Sequence, residues 1–124
     1  MRIFKNRHFD RWAAKEGLTD YALTEAVQEI GEGLVDANLG GSVYKKRVAI
    51  EGQGKSGGLR TLLAFRKEER TFFMYGFAKN QRSNVSQREL KALKQLAKEY
   101  LGYEGTDLDK AVEAGALIEV TDDD

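Results

Sequence analysis

The stretch from Leu59 to Lys79 constrains the fold more than any other part of the chain. Two apolar runs, Leu59-Arg-Thr-Leu-Leu-Ala-Phe and Thr71-Phe-Phe-Met-Tyr-Gly-Phe-Ala, flank a charged break centred on Glu68-Glu69. Both are rich in β-forming residues, so they read as strands from Leu59 to Lys67 and from Arg70 to Lys79, paired as a hairpin. Upstream, Val43-Tyr-Lys-Lys-Arg-Val-Ala-Ile alternates loosely enough to be a third strand, with Lys45 and Arg47 on one face. A three-stranded meander is expected. Between its first two strands, Gly52 to Gly58 reads as a Gly-rich loop presenting Lys55 on flexible backbone. Strict alternation would put Phe73, Tyr75 and Phe77 on one face and Phe72 and Met74 on the other. Either Tyr75 and Phe77 lie with Lys79 on an open face, free to stack on bases, or they are core.

Helical signals surround this meander. Arg2 to Lys5 fits a short strand; Phe9, Trp12 and Ala13 then recur at helical spacing before Gly17, which predicts a helix from about Arg7 to Glu16. Thr19 or Asp20 can cap a second helix with Leu23, Ala26, Val27 and Ile30 on its apolar face and Gly31 and Gly33 at its end. Asn38-Leu-Gly-Gly reads as a turn. Ser86 and Glu89 have the spacing of a capping box, and Leu90, Leu93, Leu96, Ala97 and Leu101 form one face ahead of Gly102, so a helix should span Gln87 to Leu101. Asp107 to Ala114 looks weakly helical, Ala116 to Val120 could add an edge strand, and Asp122 to Asp124 should fray. The fold class is α/β: two N-terminal helices and a C-terminal helix against a twisted, mainly antiparallel sheet, with residues 1–102 as one domain and 103–124 as an acidic extension packed on it or trailing from it.

Charge is segregated. The chain has 20 Lys and Arg against 20 Asp and Glu. From Ser42 to Arg82, however, ten basic residues face three acids, and from Tyr103 to Asp124 eight acids face one Lys. A basic centre suits phosphate, while the acidic tail lies elsewhere or competes for that surface. There is no Cys, which removes thiolate catalysis and Cys-based zinc sites and fits a reducing, cytoplasmic setting. No stretch suggests a membrane span or an apolar leader.

Several site types can be set aside. Gly54-Lys55-Ser56 suggests a phosphate loop, but Ala49 stands where the motif needs its first Gly, and a strand follows where a helix should begin. His8 is the only His and reads as a surface residue, so a His-dependent nuclease or a multi-His metal site is not expected. No pair of acids in the basic centre has the spacing for acid/base chemistry. No metal and no organic cofactor are expected.

Taken in order, Tyr44-Lys-Lys-Arg, Gly57-Gly-Leu-Arg-Thr and Ala78-Lys-Asn-Gln-Arg-Ser resemble the RelE/ParE toxin superfamily of type II toxin–antitoxin systems, most of all its HigB-like branch with a Gly-Lys-rich loop. The similarity covers about Ile3 to Gly102. It implies a RelE-like fold, and a toxin that enters the ribosomal A site, cleaves mRNA and is held inactive by an antitoxin. Carried over position by position, it assigns Lys45 and Arg47 to the basic pair of the first central strand, Arg60 to a strand arginine, and Ala78 to Ser83 to a Gly-Lys-Arg-x-Arg-Ser stretch. Asn80 stands where RelE has a catalytic Arg, and Ser86 where it has a catalytic Tyr.

The reading that follows is a metal-independent, ribosome-dependent endoribonuclease. Lys55 or Lys45 would move the proton and Arg60 would hold the scissile phosphate, with Arg47, Lys46, Lys79, Asn80, Arg82, Tyr75 and Phe77 binding RNA. The implied partners are mRNA on the ribosome, a small helix-turn-helix antitoxin, and operator DNA only through the antitoxin complex. The alternative is a ParE-like toxin that cuts nothing and poisons a protein such as DNA gyrase; a third is a decayed member that only binds its antitoxin.

Overall fold

The computed structural model describes residues 1–50 and 54–121, with backbone alone for 54–57. Its elements are β1 (Arg2–Asn6), α1 (Arg7–Glu16), α2 (Asp20–Gly31), β2 (Ala37–Gly40), β3 (Val43–Ile50), β4 (Gly54–Arg66), β5 (Arg70–Ala78), α3 (Gln87–Leu101), α4 (Gly105–Glu113) and β6 (Leu117–Glu119). The strands form one six-stranded sheet in the order β2-β3-β4-β5-β1-β6. Among the described residues, β1 and β5 pair in parallel and the other neighbours are antiparallel.

The helix ends follow local chemistry. Asn6 Oδ1 accepts from Phe9 N–H at 2.8 Å to start α1, and Gly17, at φ +77°, closes it in the left-handed conformation a side chain would disfavour. Thr19 caps α2 through Ala22 N–H. At α3 both halves of the expected capping box are made: Ser86 Oγ accepts from Glu89 N–H at 3.1 Å, and Glu89 Oε1 accepts from Ser86 N–H at 2.7 Å.

Both faces of the sheet carry helices, which decides between the two readings of Tyr75 and Phe77 that the sequence left open. Phe9, Ala13, Leu23, Val27 and Ile30 of α1 and α2 pack on Val48, Leu59, Leu63 and Phe73. Leu93, Ala97 and Leu101 of α3, with Leu108 of α4, pack on Val43, Leu62, Ala64, Phe72 and Phe4. The physical reason lies in the central strands: Leu62-Leu63-Ala64-Phe65 and Phe72-Phe73-Met74 are buried at every position, so apolar side chains point both ways and each face needs a helical layer. Two further expectations are corrected. Asn38 to Gly40 lies within an edge strand, β2, and the turn follows at Gly41-Ser42, where both residues have positive φ. The Gly-rich segment is strand from Gly54 onward, Gly54 pairing with Ile50, because pairing with β3 supplies the ladder that glycines alone would not favour.

Alternation along β5 is broken by a bulge. Leu62 pairs with Tyr75, but its neighbour Leu63 pairs with Phe73, so Met74 is an extra residue. Tyr75 and Phe77 therefore join Phe72 and Met74 on the α3 side, instead of Phe73. The bulged Met74 carbonyl accepts from Asn6 Nδ2 at 3.2 Å, so one asparagine caps α1 and satisfies the bulge. Past the bulge, Gly76 turns to the α1 side against the Trp12 ring. A Cβ on Gly76 would stand 2.2 Å from Trp12 Cζ3, and a rigid indole cannot yield by that much. Gly76→Ala should therefore destabilise by ~1–3 kcal/mol in denaturant unfolding, and Trp12→Ala in the same chain should remove most of that increment. Additive losses would show that the ring has room to move.

Candidate nucleic-acid interface

Arg47, Arg60 and Phe77 stand opposite one another across β3, β4 and β5, and Lys45, Leu62 and Tyr75 form the next row. Because Leu62, Tyr75 and Phe77 belong to the α3-side cluster, Lys45, Arg47 and Arg60 share that face, as alternation along β3 and β4 requires. Leu59 and Thr61 point the other way: Leu59 packs with α1 and α2, and Thr61 Oγ1 donates to the Lys46 carbonyl at 3.0 Å. Arg60 is nevertheless largely enclosed, with 9% of its surface exposed, and its Nη1 is buried with no hydrogen-bond partner among the described residues. An unpaired buried donor on a charged group is expensive, and a ligand oxygen would satisfy it. Arg47 is exposed and paired with Asp36 at 3.3 Å.

Next to this row, Arg82 is already committed. Its Nη2 donates to Glu89 Oε1 at 2.5 Å, Nη1 donates to Glu89 Oε2 and to the Tyr75 hydroxyl at 3.1 Å each, and Nε donates to the Asn84 carbonyl. The guanidinium lies 5.8 Å from the Phe77 ring centre and 6.0 Å from that of Tyr75. Arg82 and then the Ser86 N–H hold the Glu89 carboxyl down at about 2, and Glu89 in turn raises Arg82. With its folded value below the ordinary one, Glu89 adds stability above the normal carboxylate range, and that stability is lost as pH falls through the folded value. The gap in melting temperature between wild type and Glu89→Gln should be full above about pH 5 and should close toward about pH 2. A gap independent of pH would place the effect in packing.

The expected site residues divide. Lys45, Arg47, Arg60, Tyr75 and Phe77 come together on one face, and Lys79 and Asn80 are exposed in the turn that leaves β5 toward Arg82. Lys46 does not join them. It points to the α2 side, 4% exposed, paired with Glu29 at 2.8 Å and donating to the Leu34 carbonyl at 2.7 Å. Phe77 is buried and Tyr75 is half-buried, so neither ring offers a free face to a base. The Lys55 side chain and Glu51 lie outside the described residues.

Part of the basic centre is structural. Arg66 Nη1 donates to the Leu101 carbonyl at 3.1 Å, and Arg70 donates to the Tyr103 carbonyl, so both meet carbonyls at and beyond the C-terminal end of α3. The acidic segment sits at the far edge of the sheet from Arg47: β6 pairs with β1, and Glu119 and Asp109 hold Arg2 at 3.0 and 3.1 Å. His8 is exposed as the sequence suggested, but its ring also stacks on Tyr75 with centres 5.3 Å apart and planes 4° apart, a contact the sequence reading missed. Nothing near His8 in the sequence signals this, because only the parallel pairing of β1 with β5 brings the first turn of α1 beside Tyr75.

Among the described residues, no cluster of three or more His, Asp or Glu forms a metal site, and no helix is long and apolar enough to cross a membrane. No curated protein matches the chain. A family model described as the RelE toxin of the RelE/RelB toxin–antitoxin system matches residues 1–120, taking in α4 and β6 as well as the core sheet. With nearly its whole length matched, and with a mixed α/β fold to suit, the chain belongs to the RelE toxin family of toxin–antitoxin systems.

Proposed function

We propose that this toxin is a ribosome-dependent mRNA endoribonuclease whose chemistry rests on clustered cations, acting in the cytoplasm and neutralised by a small helix-turn-helix antitoxin. The observation that carries the reading is the Arg60 guanidinium: enclosed, with Nη1 unpaired among the described residues, and flanked in register by Arg47. Cleavage of this kind needs the 2′-hydroxyl deprotonated, the pentacoordinate phosphate stabilised and the 5′-oxygen protonated. Arg60 supports the second need. Its planar fork can hold two phosphate oxygens as charge builds, and the low-dielectric surroundings strengthen that contact.

Lys45 shares the face one row away and, with Lys55 from the start of β4, is the candidate for proton transfer. Arg47 and Lys79 hold flanking phosphates, and Asn80 lies beside Lys79. Arg82, tied to Glu89, forms with Tyr75 and Phe77 the floor on which the RNA rests. The toxin would enter the ribosomal A site with this face toward the message. The test is pulse labelling after expression without a partner. Methionine incorporation should stop within minutes while DNA remains intact. Continued incorporation with a rising DNA-damage response would replace this reading with poisoning of a protein such as gyrase.

A further inference from the structure

We propose that the exposed face of the His8 imidazole is a stacking platform for one nucleobase of a single-stranded RNA, at the α1 margin of the cationic face. The inference rests on reading that face as an RNA interface. The other aromatic rings there are already occupied. Phe77 is buried under the Arg82 guanidinium, and Tyr75 is hydrogen-bonded to Arg82 and covered by His8. His8 itself is exposed, and its contact with Tyr75 uses one ring face. Among the described residues no hydrogen bond or ion pair turns it elsewhere.

The 4° angle between the two rings matters more than their proximity. A base laid on the outer face of His8 would extend a parallel stack, His8 on Tyr75, that the protein has already built. Pre-stacking also limits the rotamers His8 can visit, so little side-chain freedom is lost on binding. Arg7, exposed and adjacent at the start of α1, supplies a cation within reach of the phosphate beside such a base. From His8 the face continues past Tyr75 and Arg82, which covers the buried Phe77 ring, toward the enclosed Arg60 and the exposed Arg47, so cations lie along the path a single strand would take from the platform.

The experiment uses the full chain and a short single-stranded RNA, 2′-O-methylated against cleavage and carrying 2-aminopurine, whose fluorescence is quenched by stacking. Wild type should bind it with quenching. His8→Ala should bind about 5- to 150-fold more weakly and lose the quenching, the range expected for removal of one base–aromatic stack. His8→Phe, a flat ring with no charge and no hydrogen bond, should restore both to within about twofold. In ribosomal cleavage, the His8→Ala loss should appear in KM more than in kcat.

Unchanged binding and quenching by His8→Ala, no quenching by wild type, or a His8→Phe protein as defective as His8→Ala would each overturn the platform. The two readings fail separately. A wild type that cleaves mRNA with an indifferent His8→Ala keeps the nuclease and removes the platform. A wild type that binds and quenches through His8 but leaves translation running keeps the platform and removes the nuclease.

Discussion

Arg60→Ala should lower ribosome-bound mRNA cleavage roughly 10²–10³-fold, equivalent to about 2.7–4 kcal/mol, the range for removal of one transition-state donor from an enclosed site. Arg60→Lys should recover little of it, because an ammonium is a point charge that cannot present two parallel N–H donors to two phosphate oxygens. The stability effect should run the opposite way. Nη1 is buried without a partner among the described residues, and such a group costs about 1–3 kcal/mol relative to a satisfied one. Arg60→Met keeps most of the apolar stem and removes the unpaired donor, so its melting temperature should equal or exceed that of wild type while cleavage collapses. Activity bought at the expense of stability in this manner is expected of a preorganised site. Cleavage near the wild-type rate in Arg60→Ala would remove Arg60 from the chemistry, and parallel losses of melting temperature and rate in Arg60→Met would make it part of the scaffold.

Phe72→Ala should destabilise the protein by ~3–5 kcal/mol, the range for deleting a fully buried aromatic side chain. Phe72 is 0% exposed and sits in the middle of an aromatic column. Its ring centre is 5.2 Å from Phe4 at 13° and 5.0 Å from Tyr100 at 24°. It therefore joins β1, β5 and α3, elements far apart in the chain. Its removal leaves a void between two rings that cannot close without moving α3 or β1. For a domain of this size such a loss is a large share of the total stability of about 5–15 kcal/mol. Urea unfolding should show a lower midpoint with an unchanged slope. A loss below about 1 kcal/mol would mean that the α3 layer holds its position through Leu93, Ala97 and Leu101 alone, and a changed slope would mean that the variant no longer unfolds in one step.

The elements read correctly from sequence are those whose signals lie within a few residues of one another. Helix α1 begins at Arg7 and ends at Glu16 as expected, because Phe9, Trp12 and Ala13 repeat at helical spacing and Gly17 closes the last turn. Helix α3 runs from Gln87 to Leu101 as expected, because the Ser86–Glu89 capping box is complete within four residues. Strand β3 spans Val43 to Ile50 as expected, and Lys45 and Arg47 share a face because side-chain direction alternates within any strand.

What only the tertiary structure decided depends on pairing between distant strands. Alternation along β5 fails at Met74, and the bulge exists because β4 and β5 change register there and Asn6 of β1 is placed to donate its side-chain N–H to the freed Met74 carbonyl. Tyr75 and Phe77 consequently lie where no count along the chain would put them. Charge is undecidable locally for the same reason: Lys46 and Arg47 are neighbours in sequence, yet Glu29 on α2 takes the first into a buried pair while the second stays exposed on the opposite face, across from the enclosed Arg60. His8 becomes a ring against Tyr75 only through the parallel register of β1 on β5. Residue type and spacing determined the helices, the apolar strands and the stock of cations, since those depend on backbone propensity and short-range periodicity, whereas β2 and the glycine-rich start of β4 form only through pairing with β3. Which cations and rings share a face was settled by strand register and by the two helical layers, whose energies arise between residues tens of positions apart.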